Sequence, residues 1–163
     1  MSLSLRARRG AAVALLAAAQ IAVLGVASAD AAACRSYSCN GLDPQATTNS
    51  AGQPCSADAV TRQSFLDGRG YLIELRYSSS CNAMWARAKV PYAKPGETWY
   101  PTAWLQLQRY DYADYSTGKI DEVQIWFGST WTKMNVNVGW FRACLVNSPD
   151  ARPNRTTQCT ARA

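Results

Sequence analysis

The chain has 163 residues, a formal net charge of +6, six cysteines and no histidine. Without imidazole, Ser-His and Cys-His nucleophile chemistry is excluded, as are the common metal centres built on histidine. The basic residues form no run that resembles a nucleic-acid patch, so no nucleic acid partner is expected.

Arg6, Arg8 and Arg9 precede an apolar run over 11–26 that is broken only by Gln20 and Gly25, and Ala27-Ser28-Ala29 follows. A basic start, a short apolar stretch and small residues at the two positions a signal peptidase reads are the pattern of a secretory signal peptide, here over 1–29. The run is shorter than the ~20 apolar residues a span needs, and none longer follows, so the processed chain is expected to be secreted and not to span a membrane. Arg8-Arg9 hints at the twin-arginine route, but Gly10-Ala11-Ala12 stand where that signal takes bulkier apolar residues, so the general secretory route fits better. Cleavage after Ala29 leaves residues 30–163, the length of one domain with a real core. The three leader arginines carry half of the net charge of +6, and the +3 that remains gives a weak, salt-sensitive attraction to anionic envelope polymers or lipids.

The processed chain opens with an irregular Cys-rich segment, 30–56, with turn signals at Asn40-Gly41 and Asp43-Pro44 and no apolar period. All six cysteines, Cys34, Cys39, Cys55, Cys81, Cys144 and Cys159, fall after the leader. An even count in an oxidising compartment predicts disulfides and no free thiol. There is no Cys-x-x-Cys pair, which argues against zinc, and no cofactor is expected. Of the fifteen pairings that six cysteines allow, the expected ones are Cys39 with Cys55, Cys81 with Cys144, and Cys34 with Cys159.

A β domain over 57–146 comes next. Asp58 could cap a short helix, but the Asp67-Gly68-Arg69-Gly70 turn leads into 71–77, where Ile73, Leu75 and Tyr77 share a face, so a hairpin is predicted. Further strands are predicted over 84–90, 104–110, 120–127 and 131–145, the last split near Gly139. Their apolar faces are Ala86, Ala88 and Val90; Leu105 and Leu107; Val123, Ile125 and Phe127; and Met134, Val136 and Val138. Turns are read at Lys94-Pro95-Gly96, Ser116-Thr117-Gly118 and Phe127-Gly128-Ser129. Six or seven short strands at this spacing predict an all-β fold, an antiparallel barrel or sandwich stapled by disulfides. The tail 147–163 is expected to be loose unless Cys159 ties it back.

Carboxylate chemistry is the remaining catalytic option. The stretch from Asp111 through Tyr112, Ala113 and Asp114 to Asp121 and Glu122 has the length and ends of a calcium loop, but Ala113, Tyr115 and Ser116 occupy positions that need oxygen ligands and a glycine. Glu74 and Glu122 stand at polar positions of predicted strands, where alternating charge on a wet face is ordinary, and no catalytic role is expected of them or of Asp121. The positive signal is aromatic. Trp85, Trp99, Trp104, Trp126, Trp131 and Trp140, with Tyr92, Tyr100, Tyr110, Tyr112 and Tyr115, exceed what a core of this size holds. Trp104 alternates with Leu105 and Leu107, and Trp126 with Ile125 and Phe127. The period of two therefore predicts outward-facing rings that stack on sugars or bind peptide, unless both faces are buried. The candidate ligand-binding residues are Trp104, Trp126, Tyr110 and Tyr112.

The blocks Cys34-x4-Cys39-x-Gly41-x-Asp43-Pro44, Cys55-x2-Asp58-Ala59-x-Thr61, Glu74-Leu75-Arg76-Tyr77-Ser78-x2-Cys81-x-Ala83-x-Trp85-Ala86-Arg87, Thr132-x-Met134 and Arg142-Ala143-Cys144 follow one another along the chain. Together they resemble the YjfA-like family of exported Gram-positive proteins. The resemblance implies an exported domain of unknown function with no established activity or ligand, and related domains on membrane-anchored regulators suit binding better than catalysis. The chain departs from the pattern in a longer 48–54 stretch and in the tail that carries Cys159. The expectation is a secreted binding or interaction module, with a cell-wall polymer or an extracellular protein as candidate partner. A carboxylate-based cell-wall or carbohydrate-active enzyme and a secreted inhibitor or effector are the alternatives.

Overall fold

The computed structural model describes residues 33–92, 103–110, 117–147 and 157–163. The expected leader and its cleavage site lie outside these residues, as do Tyr112 and the first half of the calcium-like loop. The single helical element among the described residues is a 3-10 turn, Ser36–Cys39, and no helix there is long and apolar enough to cross a membrane.

The strands are β1 (Val60–Leu66), β2 (Leu72–Ser78), β3 (Ala83–Val90), β4 (Ala103–Tyr110), β5 (Thr117–Gln124), β6 (Gly128–Trp131), β7 (Asn135–Val136), β8 (Trp140–Asn147) and β9 (Thr157–Cys159). They form two antiparallel sheets. The first runs β1-β2-β3-β6, with β7 also paired to β3, and the second runs β5-β4-β8-β9. The sheets pack face to face as an open sandwich, so the barrel alternative is set aside. The reason lies in the sequence. The central strands β2, β3, β4 and β8 each turn an apolar side to the opposite sheet, and the two sheets bury these sides against each other, whereas closure would need the edge strands β1, β6, β5 and β9 to pair.

The core between the sheets holds Ile73, Leu75, Met84, Ala86 and Ala88 from one side, and Leu105, Leu107, Ile125, Phe141, Ala143 and Leu145 from the other. The predicted hairpin is β1–β2. Its turn is fixed by Asp67, whose Oδ1 accepts the backbone N–H of Arg69 and of Tyr71, both at 2.9 Å, and by Gly70 at φ +84°. The strand expected over 120–127 ends at Gln124. Ile125 still donates its N–H to Ala103 O, but Trp126 N donates to Thr130 Oγ1 at 3.1 Å and Gly128 takes φ +82°, so the chain turns across to the first sheet. Gly128 and Ser129, expected only as a turn, then begin β6 against β3. Of the face expected over 134–138, Met134 and Val136 are buried and Val138 is exposed.

A second, smaller core lies on the outer side of the first sheet. The irregular segment folds over it as a cap, burying Cys34, Cys39, Cys55, Cys81, Ala83, Trp85 and Met134 together. Asp58 latches the cap to the β2–β3 turn, accepting from Ser78 Oγ (2.6 Å), Ser79 Oγ (2.9 Å) and Ser80 N (2.8 Å). Those bonds outweigh the effect of burial and lower the Asp58 pKa. Trp85, one of the surplus rings, is therefore core.

No cysteine is free, but all three expected pairings are wrong. The disulfides are Cys34–Cys39, Cys55–Cys81 and Cys144–Cys159. Cys144 and Cys159 are register partners on β8 and β9, and this bond ties the tail back. Cys81 sits at the end of the β2–β3 hairpin beneath the cap, facing away from β8, so it meets Cys55 and cannot reach Cys144.

Candidate ligand-binding face

The period of two along β4 sends Ala103, Leu105 and Leu107 into the core and leaves Trp104, Gln106, Gln108 and Tyr110 on the outer face of the second sheet. Register places Glu122, Lys119 and Thr117 of β5 beside Gln106, Gln108 and Tyr110 on one side. On the other side lie Val146, Cys144, Arg142 and Trp140 of β8, opposite Trp104, Gln106, Gln108 and Tyr110 in turn. Between the pairs Leu107–Asp121 and Gln108–Lys119 the β5 strand carries one extra residue, Ile120, a bulge that keeps both Lys119 and Glu122 on the outer face.

The polar side chains form one connected series. Arg142 Nε donates to Gln108 Oε1 (2.9 Å), Gln108 Nε2 to Gln106 Oε1 (2.7 Å), and Gln106 Nε2 to the Glu122 carboxylate, which also pairs with Lys119 Nζ at 3.0 Å. Each amide is fixed in orientation by the donor behind it, and Gln106 is buried. Above the series is a cavity of about 470 Å³, lined by Gln106, Gln108, Thr117, Lys119, Arg142 and Thr157. Arg162 lies over the Tyr110 ring, 4.2 Å from its centroid. Burial first, and the nearby Arg162 charge second, lower the Arg142 pKa. The cavity thus gathers a guanidinium, an ammonium, two hydroxyls and two amides, with Trp104 towards one end of the strand and Tyr110 and Trp140 at the other.

The structure divides the expected ring set. Trp104 and Tyr110 share this face, Trp104 half-buried and Tyr110 beside the exposed Trp140. Trp126 does not join them. It lies past the end of β5 in a separate cleft of about 310 Å³ with Asp43, Ser129, Thr130 and Trp131. There the indole N–H of Trp131 is shared between the two carboxylate oxygens of Asp43 at 3.1 and 3.2 Å. Gln106, Gln108, Lys119 and Arg142 were missed because glutamine and charge on a wet strand face are ordinary. The usable signal was Trp104-x-Gln106-x-Gln108-x-Tyr110, a polar row closed at both ends by rings.

Glu74 and Glu122, the carboxylates weighed as a catalytic pair, lie on opposite outer faces of the sandwich with the core between them, so they cannot flank one bond. Asp121 accepts the backbone N–H of Lys133 at 2.6 Å.

Residues 37–139 match the model of a family described as protein of unknown function, DUF2690. No curated protein and no solved structure matches the chain.

Proposed function

We propose, for a chain that belongs to the DUF2690 family of proteins of unknown function, an exported binding module that takes an extended, hydroxyl-rich or anionic ligand, an envelope glycan foremost, along the outer face of its second sheet. The observation that supports this reading is the fixed row from Arg142 to Glu122 beneath an open cavity, on a strand that carries Trp104 and Tyr110 near its two ends. Fixed amides and a guanidinium suit sugar hydroxyls and carboxylates, and flat rings at the ends suit the apolar faces of a sugar. Export is supported by the leader pattern, by three disulfides that favour an oxidising compartment, and by the resemblance to exported YjfA-like proteins.

Retention of the protein on purified cell-wall glycan, set against culture-filtrate proteins, tests the reading. Arg142→Ala and Gln108→Ala should each weaken retention on the order of tenfold, the value of one charged hydrogen bond, with thermal unfolding reported alongside. Equal retention of parent and variants on the glycan would sink the proposal.

A further inference from the structure

The cap holds a cluster that cysteine spacing did not reveal. The Sγ atoms of Cys34, Cys39, Cys55 and Cys81 all lie within 4.8 Å of one another, and all four residues are buried. Four thiolates placed tetrahedrally around a zinc ion at about 2.3 Å stand about 3.8 Å apart. The contact between the two disulfides already has nearly that length, with Cys34 Sγ and Cys55 Sγ 3.6 Å apart. Opening the two S–S bonds requires each sulfur to move by only roughly 1 Å to reach tetrahedral spacing. Around them, Ala83, Trp85 and Met134 are buried, with Ala59 and Trp131 packed against the cluster, so the surroundings are largely apolar. The Ser80 hydroxyl donates towards Cys81 Sγ over 3.9 Å, a polar contact that a thiolate would strengthen. The third pair, Cys144 and Cys159, sits in the other sheet with no further sulfur beside it.

We propose that in the reduced chain Cys34, Cys39, Cys55 and Cys81 form a tetrathiolate site for a soft d¹⁰ divalent cation, zinc above all. A dithiol reductant supplies two electrons and two protons to each S–S bond and becomes a disulfide itself. Zinc then binds the four sulfurs, four thiol protons leave to solvent, and the site carries a net charge of −2. The cap is thereby stapled in either redox state, by two disulfides when oxidised and by one metal ion when reduced. Without metal, the irregular segment loses its staples and keeps only its packing and its hydrogen bonds to the first sheet, such as Gly41 N to Met134 O and Trp131 Nε1 to Asp43.

The test uses the full chain, both unsubstituted and with C144A and C159A together, reduced with a phosphine, desalted without oxygen and titrated with cobalt(II). One cobalt per chain is expected in both, with the visible ligand-field bands and sulfur-to-cobalt charge-transfer bands of a tetrahedral tetrathiolate, bleached by one equivalent of zinc. The near-ultraviolet dichroism of the buried Trp85 should match that of the oxidised protein once metal is bound, and the oxidised protein should take none. Reduced protein without these bands overturns the proposal, as do bands that persist unchanged in Cys34→Ser or Cys81→Ser, or binding of more than one ion per chain.

Discussion

Glu74 shows how one buried carboxylate organises a strand face. It accepts from Arg87 Nε at 2.6 Å and Thr61 Oγ1 at 2.8 Å, with Arg76 and Lys89 each 3.9 Å away. Burial alone would raise its pKa. The hydrogen bonds from Arg87 and Thr61 and the charges of Arg87 and Lys89 prevail, so the folded value lies below the ordinary 4.5. A carboxylate with a depressed folded pKa adds stability above its unfolded pKa and loses it as pH falls through the folded value. Asp58 and Asp67 have the same sign. Urea midpoints should therefore stay level down to about pH 5 and fall below pH 4.5. Glu74→Gln should cost about 2 to 3 kcal/mol at neutral pH, the value of charged hydrogen bonds, and flatten the acid limb. An unchanged acid limb in the variant would assign the dependence to other groups. The rings give a second contrast at this scale. Ile125→Ala should cost about 2 to 5 kcal/mol through a lost core contact and cavity, while the exposed Trp126→Ala should stay within about 0.5 kcal/mol of the parent. Chemical denaturation reads both, and a large loss at Trp126 would place that ring in the core. Alternation made Ile125 and Trp126 legible in the sequence. It could not show that Trp85, with the same alternation, is covered by a cap, because burial on the second face depends on a segment without any period of its own.

Strands with a clear period of two, β2, β3, β4 and much of β8, were readable because one side of each is buried against the opposite sheet. β6 was not, since Gly128 and Ser129 carry turn chemistry and the strand owes its place to pairing with β3. The two residues of β7 and the three of β9 are too few to show a period. Disulfide pairing was illegible for a related reason: it depends on which strands are neighbours, and sequence gives strands before it gives their order. β9 illustrates what the pairing supports. It is an edge strand held to β8 by Cys144–Cys159, with Thr160 N donating to Ala143 O, and Ala163 and Phe141 exchanging both backbone bonds. The fifteen-residue separation corresponds to about 3 kcal/mol under the chain-entropy model. Replacing both cysteines by alanine should lower stability by about that amount and raise amide exchange over 157–163, with β1 to β3 protected as before. Protection retained in the tail would show that backbone pairing alone holds β9.

At the level of the whole molecule, the three disulfides span sequence separations of 5, 26 and 15 residues, and each closes within one half of the sandwich. Cys34–Cys39 closes a short loop inside the cap, Cys55–Cys81 fastens the cap to the first sheet, and Cys144–Cys159 fastens the edge of the second. None crosses the layer that contains Leu75, Leu105, Ile125 and Phe141. That layer is held by burial of apolar surface and by the main chain passing between the sheets. Hydrophobic attraction has no direction and weakens on cooling, whereas the staples on either side are covalent. Under mechanical load the compliant plane is therefore the seam between the sheets. A protein fixed to a surface by one sheet and pulled through the other would open there first, as two stiff leaves, each still internally bonded and able to close again once the force is removed.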